Sequence, residues 1–339
     1  MAKKKYLIIG QGIAGSVLAL EMYHRKMDFV VVDQPKLSSS SKIAAGVVNP
    51  VVLKRLKMVQ GAENFLDHSE SFYKLWQNNL QSEFYHQIPI CHLFWDQESQ
   101  NNWMEKSANL PFSRFLGVVN PKSPRFFNPE YGFGKMKETS WMDTFKFLNQ
   151  VRQYLKKEGR LEELEIEWKN LKNLKEKHQA SEIIICNGHL LKEQGSYSQL
   201  FSATRGELLT IRSSDIPEDV IFHAGVFILP IGNKHFKVGA TYHWDNLRDE
   251  PSEDGKTKLI KQLEKMFSGN YEIVKHEAGV RPNTQDRKPL LGKKDGHYIF
   301  NGLGSRGVLM APYLANILVD NLEKGLPIPK EYDIKRFFD

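Results

Sequence analysis

The stretch from Tyr6 to Asp33 constrains this chain more than any other. It reads as an apolar run, Tyr6-Leu7-Ile8-Ile9, then a glycine turn, Gly10-Gln11-Gly12-Ile13-Ala14-Gly15, and then a helical segment with Val17, Leu18, Leu20, Met22 and Tyr23 as its apolar residues. A second apolar run, Phe29-Val30-Val31-Val32, ends at Asp33. Strand, turn, helix, strand and terminal acid together form a βαβ dinucleotide-binding fingerprint. The first glycine permits a tight turn, the second lets a pyrophosphate approach the backbone, and the third lets helix and strand pack closely. Free N–H groups at the helix start suit phosphates, and Asp33 is placed to accept hydrogen bonds from a ribose. A bare glycine turn without a ligand is the competing structural reading. The fingerprint alone does not separate NAD from FAD.

The chain has 339 residues, enough for two domains or for one large α/β unit with an inserted lobe. Its 47 basic against 40 acidic residues give a net charge of +7, which permits an acidic partner without requiring one. Basic residues such as Lys169, Lys172, Lys175 and Lys177 are dispersed, as on solvated faces, rather than drawn into a nucleic-acid stripe. Only Cys91 and Cys186 occur, with no CxxC, so neither a disulfide framework nor a zinc site is expected. No histidine has a partner at metal spacing, and no metal is expected. No apolar stretch approaches the roughly 18 residues of a membrane helix. A cytoplasmic protein without membrane association is the expectation.

Along the chain, a polar loop runs from Gln34 through Ser38 to Ser41 and leads into Ile43-Ala44-Ala45-Gly46-Val47-Val48. Helical spacing predicts helices over Glu63–Leu80, Trp141–Lys157, Thr257–Phe267 and Val308–Leu322. Strands are expected at Ile88–Phe94, Leu161–Trp168, Ser181–Cys186, Glu207–Ile211 and Tyr298–Phe300. The segment Pro111–Pro129 reads as loops, and Val220–Pro230 with His235–Thr241 as a hairpin around Ile231–Lys234. The expected fold is α/β, a Rossmann-like domain with an inserted substrate lobe built on a mostly antiparallel sheet. Residues 1–80, 137–205 and 275–339 are assigned to the nucleotide domain, and 81–136 and 206–274 to the substrate domain.

Further motifs follow the fingerprint in order: Ala44-Ala45-Gly46, Ile183-Ile184-Ile185-Cys186-Asn187-Gly188, Gly239-Ala240-Thr241-Tyr242-His243, Gly279-Val280-Arg281-Pro282, and the turn Gly302-Leu303-Gly304-Ser305-Arg306-Gly307. In this arrangement the chain resembles the FAD-dependent D-amino-acid oxidase superfamily over essentially its whole length. It is similar to glycine/sarcosine oxidases and to the oxidase domain of a bifunctional tRNA 5-methylaminomethyl-2-thiouridine biosynthesis protein. The absence of a CxxxxC argues against a disulfide reductase, and the closing turn lacks the Gly-Asp of flavin hydroxylases.

The resemblance implies FAD as cofactor. It assigns the cofactor to Gly10, Gly12, Ile13, Ala14, Gly15, Asp33, Ser40, Ser41, Lys42, Ala45, Gly46, Asn187, Gly188, Gly302, Gly304, Ser305, Arg306, Gly307 and Val308. It implies that Arg281 binds a substrate carboxylate; an Arg tying the two domains together is the alternative. Arg306 either faces the active site or pairs with a surface acid. Of Tyr242 and His243, strand alternation lets only one face the pocket, and Tyr242 is the preferred candidate. The implied reaction is oxidation of the C–N bond of a small amine or amino acid of glycine, sarcosine or D-amino-acid type, with hydride passing to flavin N5 and O₂ or another acceptor taking the electrons. The alternatives are an oxidase of a modified tRNA wobble uridine side chain and a non-catalytic FAD-binding redox sensor.

Overall fold

A computed structural model describes residues 4–34, 40–245 and 247–338. Two large sheets organise it. The first has six strands, in the order Leu161–Glu163, Asp28–Asp33, Lys5–Ile9, Glu182–Ile185, His297–Asn301 and Leu290–Lys294. All pairings are parallel except that of the last two strands. We call Lys5–Ile9 β1, Asp28–Asp33 β2 and the helix between them, Ile13–His24, α1. Both strands are continuous apolar runs because helices cover both faces of a parallel sheet. Residues Ala14 to Leu20 of α1 are all buried, since α1 packs between the sheet and the closing helix Gly307–Lys324.

The second sheet has eight strands, in the order Glu272–Arg281, Thr204–Arg212, His235–Gly239, Phe227–Gly232, Ile221–His223, Ile90–Leu93, Phe133–Met136 and Leu116–Asn120. Only the pair Ile221–His223 with Ile90–Leu93 is parallel. One face packs on the helix Glu253–Met266, with Leu209, Ile211, Phe222, Phe236, Val238, Leu259, Leu263 and Met266 in a common core. The opposite face is turned to a large cavity.

Several local expectations change. Pro111–Pro129, read as loops, contains the short helix Phe112–Phe115 and the strand Leu116–Asn120. That strand lies at the sheet edge, where neighbouring prolines leave no central ladder unsatisfied. The run Val220–Pro230 is two strands, because Gly225 at φ +96° breaks it and Ala224 N–H bonds back to Val226 O at 3.0 Å. Leu161–Trp168 shortens to a strand over Leu161–Glu163, and Trp168 begins a short 3-10 turn. In the serine loop, Ser40–Ile43 forms one helical turn, while Ser38 lies outside the described residues. Among the described residues no helix is long and apolar enough to cross a membrane.

Candidate active site

The cavity, about 1280 Å³, lies where the C-terminal ends of β1 and β2 meet the open face of the antiparallel sheet. That volume exceeds the several hundred to roughly 1000 Å³ usual for a single small ligand. Every residue expected to touch a cofactor or substrate lines it except Gly15.

At the β1 end the chain turns through Gly10 at φ +99°, with Gly10 N–H bonded to Val32 O at 2.9 Å. A Cβ on Gly15 would stand 1.9 Å from Gly10 O, so its missing side chain is what lets α1 press on β1. Gly15 thus shapes the turn from behind. Gly12 starts the helix with no side-chain cap, and the Ile13 N–H donates to the Ser41 hydroxyl at 3.1 Å. The Asp33 carboxylate is fixed on both oxygens: Gln11 N–H donates to Oδ1 at 3.0 Å and Arg152 Nη1 to Oδ2 at 2.7 Å. An immobilised acid at the tip of β2 and an uncapped helix start fit the ribose and pyrophosphate of a dinucleotide.

The middle of the cavity is formed by Ala45 and Gly46 and by the second glycine turn. Gly46 sits at φ +73°, and a Cβ there would come within 1.9 Å of Met142 O. The preceding carbonyls of Ile43 and Ala44 each accept a hydrogen bond from Lys237 Nζ at 3.1 Å. Burial pushes the Lys237 ammonium below its ordinary pKa. Asn301 joins two predicted motifs, its Nδ2 donating to Gly188 O at 3.0 Å and its Oδ1 accepting from Gly302 N–H at 2.7 Å. Gly304, at φ +55°, and Ser305 follow, and Gly307 and Val308 open the closing helix, with Gly307 packed against Ile13.

The remaining wall belongs to the antiparallel sheet. The Arg281 guanidinium lies over Gly206, where a Cβ would stand 1.9 Å from Nη2. It donates from Nη1 to Thr241 O at 3.1 Å and rests 4.4 Å from the Tyr242 ring centroid. Burial pushes both the Arg281 and the Arg306 guanidinium down from their ordinary pKa, against the opposing influence of Tyr242. Among the described residues neither has an acidic partner, although both line the cavity. Tyr242 lines the cavity and is half exposed to it, whereas the His243 ring turns away toward Glu207 at 3.9 Å.

Arg152, Lys237 and Asn301 carried no signal that singled them out. Lys237 came nearest, as a lysine between Phe236 and Val238 on a strand whose apolar face is spoken for; nothing in the sequence said that its other face met protein rather than water. Among the described residues no cluster of His, Cys, Asp and Glu is arranged to hold a metal ion.

Comparison with known proteins bears on the fold and the family. The tRNA 5-methylaminomethyl-2-thiouridine biosynthesis bifunctional protein of Marinobacter nauticus is 22% identical over 93% of this chain and 55% of its own length. The glycine oxidase of Bacillus subtilis is 28% identical over 40% of this chain and 38% of its own length. The chain therefore spans about half the length of the first of these relatives. Among solved structures, glycine oxidase from Geobacillus kaustophilus superposes with a TM-score of 0.79 at 15% identity, over 98% of each chain. A family profile described as FAD dependent oxidoreductase matches residues 5–321, and the chain belongs to that family, the D-amino-acid oxidase type of FAD-dependent oxidoreductase.

Proposed function

We propose that this enzyme oxidises the C–N bond of a small amine or amino acid that carries a carboxylate, and that Arg281 binds the carboxylate. Arg281 carries the reading: a guanidinium drawn into a cavity, with no acid among the described residues to neutralise it, is a site waiting for an anion. Its planar fork suits a carboxylate. Thr241 O, the Tyr242 ring and the bare Gly206 backbone hold that fork in one plane before substrate arrives, so little orientation is lost on binding. Arg306 adds a second positive charge to the same cavity. When bound, FAD supplies the two-electron acceptor for the reaction. The substrate would lose a hydride from carbon and a proton from nitrogen to give an imine, which water hydrolyses to a carbonyl compound and an amine; O₂ or another acceptor takes the electrons onward. We also assign cofactor binding to residues 1–80, 137–205 and 275–339 and the substrate wall to 81–136 and 206–274, except that Arg281, at the end of the strand Glu272–Arg281 of the antiparallel sheet, belongs with the substrate wall.

The named substrates of glycine oxidase from Bacillus subtilis and of iminodiacetate oxidase from Chelativorans sp. BNC1 carry a carboxylate beside an amine. A second reading, oxidation of a modified uridine side chain on tRNA, draws on the Marinobacter relative, which aligns with 93% of this chain where glycine oxidase aligns with 40%. Anaerobic mixing of the FAD-loaded protein with glycine, sarcosine, D-amino acids, proline and tRNA, watched for flavin bleaching, separates these readings. No bleaching by any of them would favour the redox-sensor alternative and sink the first two.

For the residue itself, Arg281→Ala is expected to raise KM for a carboxylate substrate by about a hundredfold, from a buried charged pair contributing 2–5 kcal/mol. Flavin content should stay at the wild-type level, and Arg281→Lys should recover part of the loss. An unchanged KM in Arg281→Ala would remove its assigned role.

A further inference from the structure

The cavity runs farther across the antiparallel sheet than a glycine-sized substrate requires. Ladder register sets Leu208 opposite Gly239, Gly239 opposite Phe227, and Phe227 opposite His223. The strand that carries Leu208 also carries Gly206, on which the Arg281 guanidinium lies. From that strand to the one bearing His223 there are three strand spacings, roughly 14 Å. His223 lines the cavity together with Ile90, Ile221 and Phe227. Strand alternation agrees, for Phe222, between Ile221 and His223, packs into the core on the opposite side.

His223 is held from behind. Its Nδ1 is 3.0 Å from Nδ1 of His92 on the neighbouring strand. His92 stacks on Trp103 with ring centroids 5.7 Å apart and 19° between planes. Trp103 is fully buried, bonds to Gly117 O at 3.0 Å, and fills the space left by Gly134, where a Cβ would meet its ring at 2.1 Å. Among the described residues the other ring nitrogen of His223, Nε2, has no hydrogen-bond partner. His223 is only partly buried, so this nitrogen is open to the cavity and a group entering it can bond there in place of solvent.

The geometry points to a second substrate subsite at His223, which takes a neutral hydrogen-bonding group, an amide or an amide-containing ring, carried on the substrate nitrogen. This rests on the reading that Arg281 holds the carboxylate of an amine substrate. Burial, reinforced by the mutual repulsion of the two rings, pushes His92 down to about 3, and burial pushes His223 down to about 4. Both rings are therefore neutral at ordinary pH and share one proton across the Nδ1–Nδ1 contact. If His92 donates, His223 Nε2–H is a donor to the cavity; if His223 donates, its Nε2 is an acceptor. An amide edge, which offers both an N–H and a C=O, meets either tautomer, whereas an anion is better served at the arginine end. The apolar walls of Ile90, Ile221 and Phe227 suit the flat body of such a ring.

The test uses thioether analogues, which have no C–N bond to oxidise, so that binding is read apart from turnover. (Benzylthio)acetate and (3-carbamoylbenzylthio)acetate are titrated into the FAD-loaded protein by calorimetry. The carbamoyl compound is expected to bind about tenfold more tightly, as one hydrogen bond contributing up to about 1.5 kcal/mol implies. His223→Phe should abolish that preference and His223→Gln, which can still donate and accept, should keep much of it. Equal binding of the two compounds to wild type, or a preference that survives in His223→Phe, overturns the subsite. If neither the N-benzylglycines nor glycine, sarcosine, D-amino acids or proline are oxidised by the wild type, the oxidase reading fails while the binding comparison still decides what His223 does. If N-benzylglycines are oxidised but the thioethers bind equally, the oxidase reading stands and the subsite falls.

Discussion

Asp33 and Arg152 show what a single residue's neighbours add to a motif. Asp33 was legible because its place depends only on local sequence, the last position of a strand that follows a glycine turn and a helix. Arg152 was not, because it reaches Asp33 from the helix Thr144–Lys157, where its spacing among apolar neighbours resembles that of any surface arginine. In the fold it bonds Asp33 Oδ2 and Gln11 Oε1, each at 2.7 Å, and Glu163 Oε1. Removing it leaves the Asp33 carboxylate with the Gln11 N–H alone and free to turn from the ribose position. Arg152→Met is therefore expected to weaken FAD binding by about tenfold or somewhat more, the range of a hydrogen bond to a charged group, 1.5–3 kcal/mol. Reconstitution of apoprotein with FAD, followed by flavin fluorescence, measures it. An unchanged dissociation constant would mean that Arg152 serves only to tie its helix to Glu163.

Between elements, the loss of legibility has a different cause. Long amphipathic helices were readable, since a 3.6-residue period survives whatever packs on it. The strand Leu290–Lys294 was not: the Asp295-Gly296 hairpin signal was present, but the flanking Lys293 and Lys294 broke the apolar alternation. Least readable was the buried network at Glu207, because its members come from four separate segments. The Glu207 carboxylate is fully buried and accepts from Ser252 N–H at 3.0 Å and Ser252 Oγ at 2.7 Å, and it pairs with Arg205 at 3.0 Å and with His276 at 2.8 Å. Ser252 caps the helix Glu253–Met266 through Gly255 N–H at 3.1 Å. Thr241 Oγ1 accepts from Glu207 N–H at 3.0 Å, which places the network directly behind the segment bearing Tyr242. Glu207→Leu would leave Arg205 buried without its counter-charge, a loss of about 3–5 kcal/mol. Urea unfolding of the FAD-loaded protein should show it as a lowered midpoint, with Glu207→Gln intermediate. A midpoint within about 0.5 kcal/mol of wild type, the range of an ordinary surface substitution, would show that water replaces the carboxylate there.

Taken whole, the molecule places its chemistry where two sheets meet, and most of the site is assembled from residues far apart in the chain. The parallel sheet was legible from one motif because βαβ units are local. The antiparallel sheet was legible in content but not in order, since nothing in the strand Ile90–Leu93 announces that it pairs with Ile221–His223. That unannounced parallel pair brings His92 against His223 and gives the whole fold a distinctive dependence on pH. In the unfolded chain both imidazoles titrate near 6.5, while burial holds them at about 3 and about 4 in the fold. Because the folded values lie below the unfolded ones, the unfolded state binds protons first as pH falls. The stabilising contribution is thus complete above about pH 6.5 and is lost progressively toward about pH 4 for His223 and about pH 3 for His92, at roughly 1.4 kcal/mol per pH unit for each ring. Between pH 7 and pH 5 this pair should account for about 4 kcal/mol of lost stability, and His92→Gln, which keeps a partner for His223 but does not titrate, should shrink the loss by about 2 kcal/mol. Urea midpoints of wild type and variant at the two pH values decide it. If both lose the same stability, His92 is protonated in the fold as readily as in the unfolded chain, and the neutral pair behind the cavity wall does not exist.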